Sequence, residues 1–150
     1  MINIIGGRFK GKKIYVPNNK VRPTSSLKRE AIFSILESNA IKNSYDLYEK
    51  KCFIDLFAGS GALGLEAISR GASFAYFYEL NTHICKIIEK NCNIICENNE
   101  FLIHNKDINI IEKFETEFPI SVIFIDPPYE MDSFKSFLKK ILDNNLLNKN

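Results

Sequence analysis

From residue 52 onward, short apolar runs alternate with stretches in which apolar residues recur every three or four positions. The runs fall at residues 52–56, 74–78, 101–104 and 121–125. Near-continuous apolar runs of this length suit strands covered on both faces. Residues 62–70 and 82–97 carry helical spacing, with a further helix around 109–114 and an amphipathic one over 134–142. Gly71 stands where a helix commonly ends, and Asn81 or Thr82 where one commonly begins. This alternation predicts an α/β fold, a doubly wound parallel sheet with helices on both faces.

The first fifty residues follow another pattern. Ile2, Ile4 and Ile5 form a short apolar strand, Gly6-Gly7 and Gly11 punctuate, and Ile14-Tyr15-Val16 return, so residues 2–16 are predicted as a β-hairpin. Pro17-Asn18-Asn19 breaks the strand, and Arg22-Pro23-Thr24 is extended because proline biases its predecessor away from helix. Ser25 or Ser26 caps a helix that runs to about Glu37. Leu27, Ala31 and Ile35 share its apolar face, with Ile32 and Leu36 beside it, and Lys28 and Arg29 fall on the wet side. Residues 38–51 form a polar connection with short helical potential at 45–49. The expected division is a basic hairpin and helix over 1–38 and a cofactor-binding core over 39–150.

The candidate chemistry sits at the ends of the apolar runs. Asp55-Leu56-Phe57-Ala58-Gly59-Ser60-Gly61-Ala62-Leu63-Gly64 is a strand entering a glycine-rich turn that opens a helix. Glycines let a ligand approach the backbone, and the helix start offers unpaired N–H groups. Gly59, Gly61 and Gly64 spell G-x-G-x-x-G, which also fits a dinucleotide fold. Asp55 points elsewhere: an acid at the strand end can accept from a cationic ligand such as the amino-acid part of S-adenosylmethionine. Glu79, Asp107 and Asp126 end the next three strands. Ligands bind along that edge of such sheets. Glu79 can accept both ribose hydroxyl protons, and Asp107 can accept from an adenine amino group.

Asp126-Pro127-Pro128-Tyr129 is the most specific motif. Two prolines remove two backbone donors, so the turn presents carbonyls and a carboxylate, all acceptors. That suits an exocyclic amine, and Tyr129 offers a flat face to a base taken out of its stack.

Charge adds a partner. The chain has 150 residues and a net charge of +2, yet Arg8, Lys10, Lys12, Lys13, Lys20, Arg22, Lys28 and Arg29 stand against Glu30 alone in residues 1–30. A basic arm on a mildly acidic body suggests nucleic acid. Cys52, Cys85, Cys92 and Cys96 form no C-x-x-C motif and read as buried reduced thiols, with no metal site expected. His83 and His104 are read as surface or loop residues. No apolar run reaches membrane-spanning length and no signal-peptide pattern is present, so a cytoplasmic location away from membrane is expected.

Taken together, the motifs resemble a known family. The turn at Asp55 and the proline turn at Asp126 are similar to those of amino-group methyltransferases of the class I S-adenosylmethionine fold. Ile4-Ile5-Gly6-Gly7-Arg8-Phe9-Lys10-Gly11, Arg22-Pro23-Thr24 and Arg29-Glu30-Ala31-Ile32-Phe33 resemble the RsmD family, which methylates N2 of one guanine in small-subunit (16S) ribosomal RNA. The resemblance covers residues 2–130. It implies a Rossmann-like sheet of seven strands, of which the chain supplies four and lacks the C-terminal ones.

The resemblance also implies roles. Asp55, Phe57, Ala58, Gly59 and Gly61 would hold the methionine end of S-adenosylmethionine, Glu79 its ribose and Asp107 its adenine. Asp126 and the Pro127 carbonyl would bind the guanine amino group, with Tyr129 stacked on the base. Arg8, Lys10, Arg22, Thr24 and Arg29 would lie along RNA. The implied partner is 16S rRNA in the small subunit or its assembly intermediates, engaged by a monomer. Three rival readings keep part of this pattern. One is an amino-methyltransferase acting on adenine or cytosine of DNA or RNA, one an inactive RNA-binding remnant, and one a dehydrogenase.

Arg22→Ala is expected to weaken RNA binding about tenfold while leaving S-adenosylmethionine affinity within twofold, measured by filter binding and calorimetry. Equal weakening of both would remove the arm from RNA recognition.

Overall fold

The computed structural model describes residues 1–18, 23–128 and 134–143. Strands β1 (Ile2–Asn3) and β2 (Lys13–Ile14) pair antiparallel as the N-terminal hairpin. Helix α1 (Ser26–Lys42) follows. Then come β3 (Cys52–Leu56), α2 (Ala62–Arg70), β4 (Phe74–Tyr78), α3 (Thr82–Ile95), β5 (Phe101–His104), β6 (Ile120–Ile125) and α4 (Phe134–Asp143). Among the described residues the main sheet has the order β5-β4-β3-β6, and all its pairs are parallel. This is the predicted α/β architecture, a parallel sheet with helices packed on both faces. No helix among the described residues is long and apolar enough to cross a membrane.

Every residue of β3 and β4 is buried. Side chains alternate between two cores, as strand geometry requires. Phe53 and Phe77 face one layer with Leu65 and Ile68 of α2 and Ile88 of α3. Ile54, Leu56, Tyr76 and Tyr78 face the other, with Phe114 and with Phe137 and Ile141 of α4. Gly64 lets α2 lie close on β4, because a Cβ there would overlap the Phe77 ring. Ile4, Ile14 and Phe33 join the first core, so the hairpin and α1 pack on the same side as α2.

Helix α1 corrects two expectations. Ser25 caps it, accepting from Lys28 N at 3.2 Å, but the helix runs to Lys42 and turns a different face inward. Arg29, Phe33 and Ala40 are buried, whereas Leu27 and Ile35 are 77% and 70% exposed. Arg29 is therefore neither on the wet side nor free to lie along RNA. Its guanidinium is wholly buried against the buried carboxylate of Glu66, with Nη1 donating to Oε2 at 3.3 Å. Nη2 donates to Asn3 O at 2.9 Å and to Ser26 Oγ at 3.3 Å. The charge of Glu66 selects the face, overriding the apolar spacing.

Glu66 also accepts from Ile5 N at 3.1 Å, Gly6 N at 2.7 Å and Arg70 Nε at 3.2 Å. Ser69 extends the seam: its Oγ accepts from Phe9 N at 3.0 Å and donates to Gly6 O at 2.6 Å. The hairpin is thus bolted to α2.

Three local expectations also change. Residues 45–49 are not helical, and Asp46 Oδ1 accepts from Tyr48 N and Glu49 N at 2.8 and 2.7 Å. The expected helix at 109–114 is a single 3-10 turn, Ile108–Ile110, after which Ile111 and Phe114 are buried without helix. His104 is not a surface residue: its ring stacks 4.6 Å from that of Tyr78, and its Nε2 is buried without a hydrogen-bond partner. Of the cysteines, Cys52, Cys85 and Cys92 are buried and Cys96 is half-buried, all free thiols.

Arg29→Ala is expected to cost about 3–5 kcal/mol in chemical denaturation, because it strands a buried carboxylate. An unchanged unfolding midpoint would contradict the structural assignment of Arg29.

Candidate functional site

The turn after β3 adopts backbone that few sequences tolerate. Gly59 and Gly61 have φ of 55° and 78°, and Phe57 has φ of 57° although it carries a side chain. A non-glycine residue in that region is uncommon and is held there by its surroundings. Ala58 N donates to Tyr78 O at 3.1 Å and Gly61 N to Ala58 O at 2.7 Å. Gly61 caps α2 without any side-chain hydrogen bond. The start of α2 therefore presents backbone N–H groups as its binding chemistry.

Asp55 lies beneath this helix start and is only 3% exposed. Its Oδ2 accepts from Gly64 N at 3.1 Å. Burial pushes its pKa up to about 8; the Gly64 N–H opposes the rise, and the charges of Asp126 and Glu79 add to it. A carboxyl group so placed gains from a nearby positive charge, which would restore its ionised form.

Strand pairing brings the other acids to the same edge. Leu56 pairs with Tyr78 on one side and Ile125 on the other, so Glu79 and Asp126 follow directly on the two flanking strands. Glu79 is half-buried; Oε2 accepts from Gly59 N at 3.2 Å and Oε1 from Asn81 N at 3.0 Å. Its carboxylate ties the glycine turn to the start of α3, and each oxygen can still accept a second hydrogen bond. Asp107 lies further out, beyond β5. Its Oδ1 accepts from Asn109 N and Nδ2, both at 2.9 Å, and caps the 3-10 turn.

Asp126 is exposed and Pro127 half-buried. Thr24 Oγ1 donates to Asp126 Oδ2 at 3.4 Å, which brings the N-terminal arm to the proline turn. Arg8 and Lys10 are exposed on the hairpin. Arg8 pairs with Glu100 at 2.7 Å, a surface ion pair too weak to withhold it from a phosphate. Arg22 and Tyr129 lie outside the described residues.

Two asparagines escaped the sequence reading. Asn105 Nδ2 donates to Glu79 O at 2.9 Å and Leu80 O at 2.8 Å, and its Oδ1 accepts from Thr82 Oγ1 at 2.9 Å. Asn91 is wholly buried in α3. A polar residue on the apolar face of α3 is the signal that could have found Asn91; Asn105 has no local signal.

The site fits a cofactor that is cationic at one end and polar along its length. The turn supplies donors, the edge supplies carboxylates, and Asp55 supplies a buried acid that a cation would ionise. A ring edge bearing an amine fits the acceptors of Asp126 and Pro127.

Comparison with known proteins gives concordant results. The family model described as conserved hypothetical protein 95 matches residues 2–150. Ribosomal RNA small subunit methyltransferase D of Buchnera aphidicola subsp. Acyrthosiphon pisum (strain APS) is 36% identical over 150 residues, covering 99% of this chain and 74% of that protein. The protein of the same name from Escherichia coli (strain K12) is 31% identical over 147 residues, covering 97% and 69%. A solved structure of the Escherichia coli protein yhhF, to which methyltransferase activity is ascribed, matches with a TM-score of 0.79 and 29% identity, covering 99% of this chain and 75% of that one.

The raised pKa of Asp55 has a definite sign for stability. The folded state keeps a proton that the unfolded state releases between about pH 4 and 8, so this group makes stability fall as pH rises through that window. Asp55→Asn is expected to flatten the decline in denaturation midpoint from pH 5 to 8. An equal decline in both proteins would contradict a protonated Asp55.

Proposed function

The chain belongs to the RsmD family, and from that premise we propose that it methylates the N2 amino group of a guanine in small-subunit (16S) ribosomal RNA, using S-adenosylmethionine. The observation that supports this most is the parallel pairing of β6 with β3. It sets Asp126 on the same edge as Asp55 and Glu79, while Thr24 brings the basic arm to that carboxylate. This adjacency supports a reading in which methyl donor, amine and polyanion meet at one edge.

S-adenosylmethionine, when bound, supplies an electrophilic sulfonium methyl group. Asp55 and the turn at Phe57, Ala58, Gly59 and Gly61 hold its amino-acid end. Glu79 holds the ribose, and Asp107 the adenine amino group. Asp126 and the Pro127 carbonyl accept hydrogen bonds from the guanine amine. These acceptors favour a pyramidal nitrogen and free its lone pair, which is otherwise delocalised into the ring. Tyr129 stacks on the base and fixes its plane.

The contribution of the chain is chiefly orientation, which is worth about 7–11 kcal/mol in favourable intramolecular cases. Arg8, Lys10, Arg22 and Thr24 lie along the RNA; Arg29, being buried, does not. The substrate is the small subunit or an assembly intermediate, met in the cytoplasm by a monomer.

Asp126→Asn is expected to retain S-adenosylmethionine binding within threefold while losing turnover by about 100-fold or more, the scale of losing a preorganised transition-state contact. Calorimetry and labelled methyl transfer separate the two effects. Unchanged turnover would remove Asp126 from the reaction.

A further inference from the structure

Asn91 uses both amide donors and one acceptor lone pair inside the protein. Its Oδ1 accepts from Tyr15 N at 2.7 Å, and its Nδ2 donates to Tyr15 O and to Ser60 O, both at 2.9 Å. Tyr15 directly follows β2 of the basic hairpin. Ser60 stands between Gly59 and Gly61. One buried amide therefore joins the hairpin backbone to the apex of the cofactor turn. Only a primary amide offers this acceptor together with two donors.

The turn depends on such outside support. Gly59 N is held by Glu79 Oε2, and Gly61 N by Ala58 O. The Ser60 carbonyl lies on the peptide between Ser60 and Gly61, so fixing it fixes the plane of the Gly61 N–H. Lys90, the neighbouring residue on α3, places Nζ 3.7 Å from the centre of the Tyr15 ring. Two consecutive residues of α3 thus grip Tyr15 by backbone and by ring.

We propose that Asn91 is a positioning residue that locks the cofactor turn to the basic hairpin, so that the turn keeps its binding conformation only while the hairpin is seated. The inference rests on the cofactor reading above and adds the hairpin to that site. Loss of the two amide donors should free Ser60 and Tyr15 together. Substitution by aspartate is the sharpest case, because it turns a carboxylate oxygen toward two carbonyls, a repulsion that should unseat Tyr15 and Ser60 together.

The test compares the full-length chain with Asn91→Asp and with Ile95→Val, a change in the buried face one turn further along α3. Amide hydrogen exchange is read without ligand, and binding of S-adenosylhomocysteine is read by calorimetry. Asn91→Asp should speed exchange about tenfold at Tyr15 and at residues 59–62 together, and weaken S-adenosylhomocysteine about tenfold. Ile95→Val should leave affinity within twofold. Faster exchange at Tyr15 with none at residues 59–62 would overturn the proposal. So would an equal loss of affinity in a control brought, by temperature, to the same global stability. A wild-type chain that binds no S-adenosylhomocysteine would refute the cofactor reading, and the exchange results alone would then decide the role of Asn91.

Discussion

The buried carboxylate of Glu66 is the constraint on which the arrangement depends. A carboxylate removed from water is costly unless every lone pair is met. Here it meets Arg29 from α1, Arg70 one turn along α2, and the N–H groups of Ile5 and Gly6 from the hairpin. Three separate pieces of chain must assemble before that charge is satisfied. The consequence reaches the site, because Glu66 belongs to the helix that begins at the glycine turn. The hairpin and α1 are therefore part of the same packed body as the helix that follows the glycine turn.

The second organising feature is charge. Asp55, Glu79 and Asp126 share one edge because β4, β3 and β6 lie side by side and end together. Their mutual repulsion, added to burial, leaves Asp55 protonated near neutral pH. Such an edge attracts positive charge. Positive charge lies instead on the hairpin, where Arg8 and Lys10 are exposed.

Much of the fold was legible because its signals are local. The runs at 52–56 and 74–78 became strands at those bounds, and the helix between them starts and stops at glycines as expected. Features set by distant partners were not legible. Arg29 and Glu66 are 37 residues apart, and nothing near Arg29 reveals the carboxylate that buries it. Asn91 and Tyr15 are separated by 76 residues, and Asn105 acts on a loop 25 residues away. The segment after Asp107 carried a helical pattern, yet Asp107 caps a short turn there, and Ile111 and Phe114 gain more by entering the core than a helix would offer. Motif reading located the acids along the edge, and packing decided which basic residues remained available to a partner.

The identity of the methylated atom tests the proposed function most directly. Small ribosomal subunits lacking the modification should be incubated with the chain and labelled S-adenosylmethionine, then digested to nucleosides. The proposed function predicts label in N2-methylguanosine. Label in a methylated adenosine or cytidine, or no label from folded protein that still binds the cofactor, would contradict it.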